Sequence, residues 1–330
     1  MTTKREHAKR LETFQRLLSA DLSVDEQVEL IRSIDVEQLT PEDLISYTHV
    51  IYDTNITLDK IPDHVIDISS AGINGPFCDI SVPAAFIAAS AGVKIAKHFD
   101  GNVAFEKEQR KLLELLSIDI KSNPEGASQQ LALYGLTFLF SSDFHPILTR
   151  FQKAREILQD QPTVFDLLFC LCNPANVNRV IISTANDQYS DLLIETLKLL
   201  HKKKAIIFPI NSFGQLSENG EMGLIQLEGK TSSTYKFTPE ELALKTCSPE
   251  ELHCNTIEES AQAVRAILGG QVTDGRRDAV LLNAAITIQI GYPESIALDQ
   301  AVTIAEERLE SGRAFERYTS LMQPSHATKN

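Results

Sequence analysis

Cysteine and histidine are the residues of this chain best suited to metal or redox chemistry. The chain has 5 cysteines and 8 histidines. Cys170 and Cys172 are one residue apart in an apolar stretch, and Cys247 and Cys254 flank a polar loop. Neither pair has the Cys-x-x-Cys spacing of a zinc knuckle, and the histidines do not cluster with them. The sequence therefore predicts buried or incidental thiols, not a metal site or a disulfide framework.

Two short segments have residue types that suit anion binding. Residues 70–75 carry Gly72, Asn74 and Gly75 after a predicted strand, and residues 79–83 read as a helix start. Backbone amides in a glycine-containing turn or at a helix N-terminus can bind phosphate. An ordinary Asn-Gly turn and an ordinary Asp or Ser N-cap explain the same residues, so both interpretations stay open here.

Charge and hydropathy disfavour two classes of partner. The chain has 31 basic and 45 acidic residues, for a formal net charge of −14. A field of that sign repels nucleic acids and anionic membranes, and the basic run His-Lys-Lys-Lys at 201–204 falls at a predicted helix C-terminus. The longest apolar runs, at 84–91 and 136–140, are far shorter than the roughly 20 residues of a membrane span. The charged N-terminus, without an apolar signal segment, predicts a cytoplasmic protein.

The predicted elements define a fold class. Apolar stripes at helical spacing predict helices before Pro62. Strands and helices then alternate, which predicts an α/β fold with a mostly parallel central sheet. We expect a small all-helical domain at 1–64, with part of about 145–178 packing on it, and a large α/β domain at 65–330. The strands are predicted at 65–68, 93–96, 118–120, 136–140, 180–182 and 205–208, the later helices at 82–91, 111–117, 189–200, 258–268, 277–290 and 294–310, and a hairpin turn at 218–221.

Several separated segments carry a family resemblance. In chain order they are Ile80-Ser81, the run Ala-Ala-Ser-Ala-Gly-Val-Lys-Ile-Ala-Lys-His at 88–98, Phe144-His145-Pro146, Arg155, Phe-Asp-Leu-Leu at 165–168, Asn173-Pro174 and Arg-Asp-Ala-Val-Leu-Leu-Asn-Ala-Ala at 277–285. Together they resemble the anthranilate phosphoribosyltransferases from about residue 62 to residue 321. Pyrimidine nucleoside phosphorylases are similar in fold to that family.

The resemblance implies a reaction and its partners. Family members transfer the 5-phosphoribosyl group from phosphoribosyl pyrophosphate to the nitrogen of anthranilate, in tryptophan biosynthesis and normally with Mg²⁺. The reaction passes through an oxocarbenium-like state, so the protein binds the leaving pyrophosphate and orients the acceptor. The resemblance also implies an active site in the cleft between the two domains and a homodimer formed through the helical domain.

On the phosphate side the sequence departs from the family. The family's Gly-Thr-Gly-Gly-Asp reads Ser-Ala-Gly-Ile-Asn at 70–74, and its asparagine before the next helix is Asp79. Lys97 is retained near the predicted carboxyl end of a strand, where it is either a phosphate ligand or a solvated lysine. The arginine and serines that follow it in the family are absent from 99–105. The candidate phosphate- and ribosyl-binding residues are Gly72, Asn74, Gly75, Asp79, Ser81 and Lys97.

The metal pair of the family is also changed. Its Asp-Glu aligns with Gln215-Leu216. Glu218 and Glu221 lie nearby and are weak candidates for a metal, with solvation of a turn as the alternative. The resemblance therefore implies Mg²⁺ only if the protein is active.

The acceptor side is closer to the family. His145 and Arg155 are ten positions apart, which is the family's spacing between its His-Pro and the arginine that faces the acceptor carboxylate. An arginine can bind a carboxylate through two hydrogen bonds. Pairing of Arg155 with an acid on its own helix is the alternative.

Three function classes remain, and no catalytic residue is assigned in any of them. The first is a pentosyl- or phosphoribosyltransferase acting on an aromatic or nitrogenous acceptor, and the second is a phosphorylase-like enzyme. The third is a non-catalytic paralogue that binds a small anion or a macromolecular partner in the cleft. Removing one hydrogen-bond donor that stabilises the charge developing in a transition state lowers the rate about 100- to 1,000-fold. The sequence therefore favours a diverged family member in which ordinary anthranilate transfer is not competitive.

Overall fold

The structure is a computed structural model that describes residues 4–19, 21–71, 78–99, 103–158, 161–184, 187–209, 221–248 and 250–323. Its strands are β1 (Ile66–Ala71), β2 (Ile95–Phe99), β3 (Leu136–Phe140), β4 (Arg179–Thr184), β5 (Lys204–Pro209), β6 (Met222–Glu228) and β7 (Thr231–Phe237). Within these residues they form one sheet in the order β3-β2-β1-β4-β5-β6-β7. Strands β1 to β5 pair in parallel, and β6 and β7 add an antiparallel ribbon at one edge. The predicted mostly parallel sheet is confirmed.

Helices precede the sheet, connect its strands and follow it. They are α1 (Lys4–Leu17), α2 (Val24–Ser33), α3 (Pro41–Tyr52), α4 (Ser81–Ser90), α5 (Val103–Leu115), α6 (Pro124–Tyr134), α7 (Ser141–Phe144), α8 (Pro146–Thr149), α9 (Gln152–Ile157), α10 (Val164–Leu168), α11 (Asp187–Leu199), α12 (Ile257–Leu268), α13 (Gly275–Gly291), α14 (Leu298–Glu310) and α15 (Arg313–Ser320), with 3₁₀ turns at Val36–Gln38, Phe169–Leu171 and Pro239–Leu242. Among the described residues, no helix combines the length and the apolar character needed to cross a bilayer.

Local sequence signals explain where several helices begin and end. Thr40 and Asp43 form a capping box at the start of α3, and Pro41 takes the first helical position. Helix α4 is buried along nearly its whole length, and Gly92 follows it with φ +94°. A residue without a side chain adopts this left-handed conformation readily, so Gly92 suits the end of the helix.

The sheet separates two apolar cores. On one face, strand residues such as Leu139 and Ile182 share a core with α1–α3 and with the helices between 141 and 171. On the other face, α4, α5 and α12–α15 pack over residues such as Phe138 and Ile181. Because alternate residues of a strand point to opposite faces, each buried strand contributes to both cores. The division into domains at residues 64 and 65 stays a proposal.

One predicted turn lies almost entirely outside the described residues. Of residues 218–221, only Glu221 is among the described residues. The two-residue hairpin turn that the structure shows lies at Gly229-Lys230, between β6 and β7, with Gly229 at φ +61°. The sequence missed this hairpin because β7 is polar and mostly exposed, so it has no apolar alternation to mark it.

The cysteines require a correction. Cys78 and Cys254, which are 176 positions apart, form a disulfide with their Cα atoms 5.2 Å from each other. The expectation of incidental thiols was therefore wrong for these two residues, because sequence spacing reveals only near neighbours. Cys170, Cys172 and Cys247 are buried free thiols, as expected.

Candidate functional site

Asp79 occupies the anion-binding position at the start of α4. Its Oδ1 accepts hydrogen bonds from the Val82 amide at 2.7 Å and from the Ser81 hydroxyl at 2.9 Å. A phosphate at this helix N-terminus would need the same two donors. The chain's own carboxylate therefore satisfies the position that the sequence marked for an anion.

Lys97 lies inside the sheet. It is the third of the five residues of β2, whereas the sequence placed it at the carboxyl end of a strand. The side chain is 4% exposed. Its Nζ donates to the Ile68 carbonyl at 3.3 Å and lies 4.7 Å from the centre of the Phe99 ring. The ammonium group is thus held by the protein, and the solvated alternative does not describe it.

A buried histidine pair lies between the sheet and the helical layer. His98 Nε2 and His145 Nε2 are 3.2 Å apart, and His145 Nδ1 is 2.6 Å from Asn55 Oδ1. Ser141 Oγ is 3.2 Å from His98 Nε2. A hydrogen bond between two imidazoles needs one N–H and one lone pair, so the pair suits neutral rings. His145 is 0% exposed, so its ring does not reach the protein surface.

Burial sets the charge state of this pair. It lowers the pKa of His145 to about 3, and the positive charge of Arg155 acts in the same direction. Burial, and then the neighbouring His145, also hold the pKa of His98 well below its usual value. Both imidazoles are therefore neutral near pH 7.

Asp67 supports the pair from the neighbouring strand. It is fully buried on β1, and its Oδ1 accepts a hydrogen bond from the His98 amide at 3.0 Å. Burial raises the pKa of Asp67 to about 6, although Asn173, the His98 amide, Lys97 and Lys202 all favour its charged form. Desolvation outweighs these partners because a carboxylate without water is costly.

A small pocket of about 130 Å³ lies beside Arg155. Arg155 is 7% exposed, and its guanidinium lies 4.6 Å from the centre of the Phe169 ring and 5.6 Å from that of Phe165. Stacking on aromatic rings holds the plane of a guanidinium in place, and its N–H donors all lie in that plane. The other polar residues that line the pocket are Glu106, Lys107, Arg110, Ser141, Ser142, Thr149 and Gln152.

Hydrogen bonds and ion pairs shape the walls of this pocket. Glu106 accepts hydrogen bonds from both the amide and the hydroxyl of Ser142. Lys107 pairs with Glu156 at 3.0 Å, joining α5 to α9. Arg110 pairs with Asp143 at 2.9 Å. A cavity of about 150 Å³ holds benzene, so this pocket of about 130 Å³ is close to the size of a single small ring, and Arg155 lines it.

The structure brings His145 and Arg155 together, as their spacing suggested, although only Arg155 lines the pocket. Sequence reasoning did not single out Asn55, Asp67 or Glu106. Asp67 carried a signal, since it is a lone acid within an apolar strand, while Asn55 and Glu106 had none.

The remaining residues that the sequence proposed for phosphate or metal binding lie mostly outside the described part of the chain. Gly72, Asn74, Gly75, Gln215, Leu216 and Glu218 lie outside the described residues. Glu221 is described and faces Lys236 at 3.6 Å. Within the described ranges, no three His, Cys, Asp or Glu side chains are arranged to hold a metal ion.

Comparisons with known proteins agree with this fold. A family model described as "Glycosyl transferase family, a/b domain" matches residues 62–315. The anthranilate phosphoribosyltransferase of Aquifex aeolicus is 30% identical over 260 residues, covering 78% of this chain and 75% of that protein. That of Desulfitobacterium hafniense (strain DSM 10664 / DCB-2) is 28% identical over 304 residues, covering 91% and 89%.

Solved structures show the same architecture. The crystal structure of anthranilate phosphoribosyltransferase from Thermus thermophilus has a TM-score of 0.82 at 24% identity, covering 96% of this chain and 94% of that one. The Saccharomyces cerevisiae protein in complex with PRPP and Mg has a TM-score of 0.79 at 19% identity, covering 98% and 93%. At these identities the likeness establishes the fold alone.

Proposed function

The chain belongs to the glycosyl transferase family defined by this a/b domain, and on that premise we propose that it binds a small carboxylate ligand beside Arg155 and has lost the tight diphosphate site. It is then a diverged phosphoribosyltransferase-like protein. Its homodimer through the helical domain and its cytoplasmic location remain part of the proposal.

The observation that carries this proposal is the position of Asp79. Its carboxylate takes the Val82 amide and the Ser81 hydroxyl at the start of α4. A diphosphate brought to the same place would meet a like charge and would have to displace it. Two unit charges 4 Å apart interact by about 4 kcal/mol near a protein surface, so this carboxylate opposes phosphate binding strongly.

The pocket beside Arg155 supports the proposed binding of a small carboxylate ligand. Arg155 is buried and oriented by two aromatic rings, and the pocket volume of about 130 Å³ is close to that of a cavity that holds one six-membered ring. Hydrogen bonds from a buried guanidinium to a carboxylate contribute about 1.5–3 kcal/mol. The partner class is therefore a small planar acid, and the net charge of −14 continues to disfavour nucleic acid.

Phosphoribosyl transfer to an aromatic or nitrogenous acceptor is the second candidate function. The pocket beside Arg155 and the spacing of His145 and Arg155 favour this function. The relatives described above are named anthranilate phosphoribosyltransferase. The positions that align with the metal pair of the family, Gln215 and Leu216, lie outside the described residues.

Calorimetry with phosphoribosyl pyrophosphate and MgCl₂ tests the lost diphosphate site. We expect the dissociation constant to exceed about 1 mM in the wild type and to fall at least about tenfold in Asp79→Asn, because the variant removes the like charge. Asp35→Asn is the matched control, since Asp35 caps a 3₁₀ turn in the helical layer. Micromolar wild-type binding that Lys97→Ala weakens tenfold would support the transferase instead.

Titration with anthranilate tests the carboxylate site. Arg155→Gln is expected to weaken binding at least about tenfold, because it removes the charged donor. Arg150→Gln removes the same charge from an exposed position nearby in the chain and should leave binding unchanged. Equal binding by both variants would contradict the assignment of Arg155, provided that circular dichroism shows both to be folded.

A further inference from the structure

Three links join the start of α4 to α12 and to the segment that leads into it. The Cys78 amide donates to the Leu252 carbonyl at 2.7 Å, and the Asp79 amide donates to Ser260 Oγ at 3.0 Å. Between these two hydrogen bonds, the Cys78–Cys254 disulfide ties the same two segments covalently. Asp79, whose carboxylate closes the anion position, is the residue directly after Cys78.

The disulfide lies just beneath the surface. Cys78 is 4% exposed and Cys254 is 7% exposed. His253 and Asn255, which flank Cys254, are both exposed. A small local opening of this turn therefore gives a thiolate access to a sulfur, without unfolding either core.

We propose that the Cys78–Cys254 disulfide is a redox modification site that controls how firmly the start of α4 is held. A dithiol reductant of the thioredoxin class supplies two electrons and two protons. Its thiolate attacks one protein sulfur, the protein S–S bond breaks, and a mixed disulfide forms. The second thiol of the reductant then resolves it, leaving Cys78 and Cys254 as thiols and the reductant as a disulfide.

Reduction of the disulfide affects Asp79 because this residue directly follows Cys78 in the chain. In the disulfide state the covalent link and the two amide hydrogen bonds together hold residues 78 and 79. In the dithiol state the covalent link is absent while the two amide hydrogen bonds remain, and the Asp79 carboxylate is less firmly held on the Val82 amide. This inference goes beyond the proposed function, and its test needs no ligand, so either can fail alone.

Thiol counting and hydrogen exchange on the full chain test the proposal. We expect 3 alkylated cysteines in the unfolded oxidised protein, matching the free thiols Cys170, Cys172 and Cys247, and all five after treatment of the native protein with thioredoxin or dithiothreitol. Reduction should accelerate amide exchange in peptides covering residues 79–90 at least about fivefold. The thermal midpoint should fall by about 3–6 °C, since a cross-link over a long loop is lost.

Two variants separate redox control from a general effect of reductant. Cys78→Ser with Cys254→Ser should exchange at the reduced rate with or without reductant, whereas Cys247→Ser should respond as the wild type does. Five free thiols in the air-oxidised protein would overturn the proposal. So would a disulfide that dithiothreitol cannot reduce in the native protein, or reduction that leaves exchange at 79–90 unchanged.

Discussion

Lowering the pH from 7 to 5 is expected to decrease the free energy of unfolding by about 2–3 kcal/mol in urea denaturation. In the folded protein, burial holds the pKa of His145 to about 3 and that of His98 well below its usual value. In the unfolded chain both titrate near pH 6.5. Below that pH the unfolded state binds two protons that the folded state does not bind. This difference lowers the free energy of unfolding by about 2 kcal/mol per imidazole at pH 5.

Asp67 opposes this loss. Its pKa is about 6 in the folded protein, above the roughly 3.9 of an unfolded aspartate. Between these values the folded state binds the extra proton, so this group adds about 1 kcal/mol of stability as the pH falls to 5. Asp166, whose pKa burial also raises, acts in the same direction. The net change remains a loss because two imidazoles outweigh the carboxyls.

Variants of the three groups should change the pH dependence in opposite directions. Asp67→Asn keeps an oxygen for the His98 amide and removes the offset, so the loss should grow to about 4 kcal/mol. His98→Gln with His145→Gln removes both imidazoles, so the variant should gain about 1 kcal/mol between pH 7 and 5. Other titrating groups cancel in the comparison. The same slope in the wild type and in the double variant would show that these histidines do not control acid stability.

Much of the α/β body could be predicted from the sequence, because its strands are buried and continuous in apolar residues. Strand β3 has the predicted bounds Leu136–Phe140, and β4, α11 and β5 form the predicted strand–helix–strand unit. Predictions were less accurate where polarity or breaking residues decide the boundary. Helix α14 begins at Leu298 instead of 294, and α5 extends over Val103–Leu115 instead of 111–117.

The site was less predictable because it depends on contacts between distant residues. Sequence placed His145 and Arg155 ten positions apart, but only the fold shows that His145 meets His98 and Asn55 and lies behind the pocket. The pairing of Cys78 with Cys254 likewise depends on how the starts of α4 and α12 meet. The capping role of Asp79 was among the sequence alternatives, and the structure supplies its two donors.

Phosphoribosyl transfer to anthranilate is expected to be at least about 10⁴-fold slower in kcat/KM than that of the Aquifex aeolicus protein assayed alongside it. The resemblance assigns diphosphate binding to a glycine loop and to an arginine and serines, and metal binding to an Asp-Glu pair. All three are replaced here, at 70–74, 99–105 and 215–216. Since one lost donor costs about 100- to 1,000-fold, two independent losses already reach this factor.

Partial restoration gives the sharper test, because a slow rate alone could reflect damaged protein. Combining Asp79→Asn with Gln215→Asp and Leu216→Glu removes the negative charge at the start of α4 and returns the metal pair, and should raise kcat/KM at least about tenfold. The same pair of metal substitutions combined with Asp35→Asn should gain less, because Asp79 then still places its negative charge on the Val82 amide. A wild-type rate within about 100-fold of the relative would refute the proposed loss, since no lost donor would then be needed to explain it.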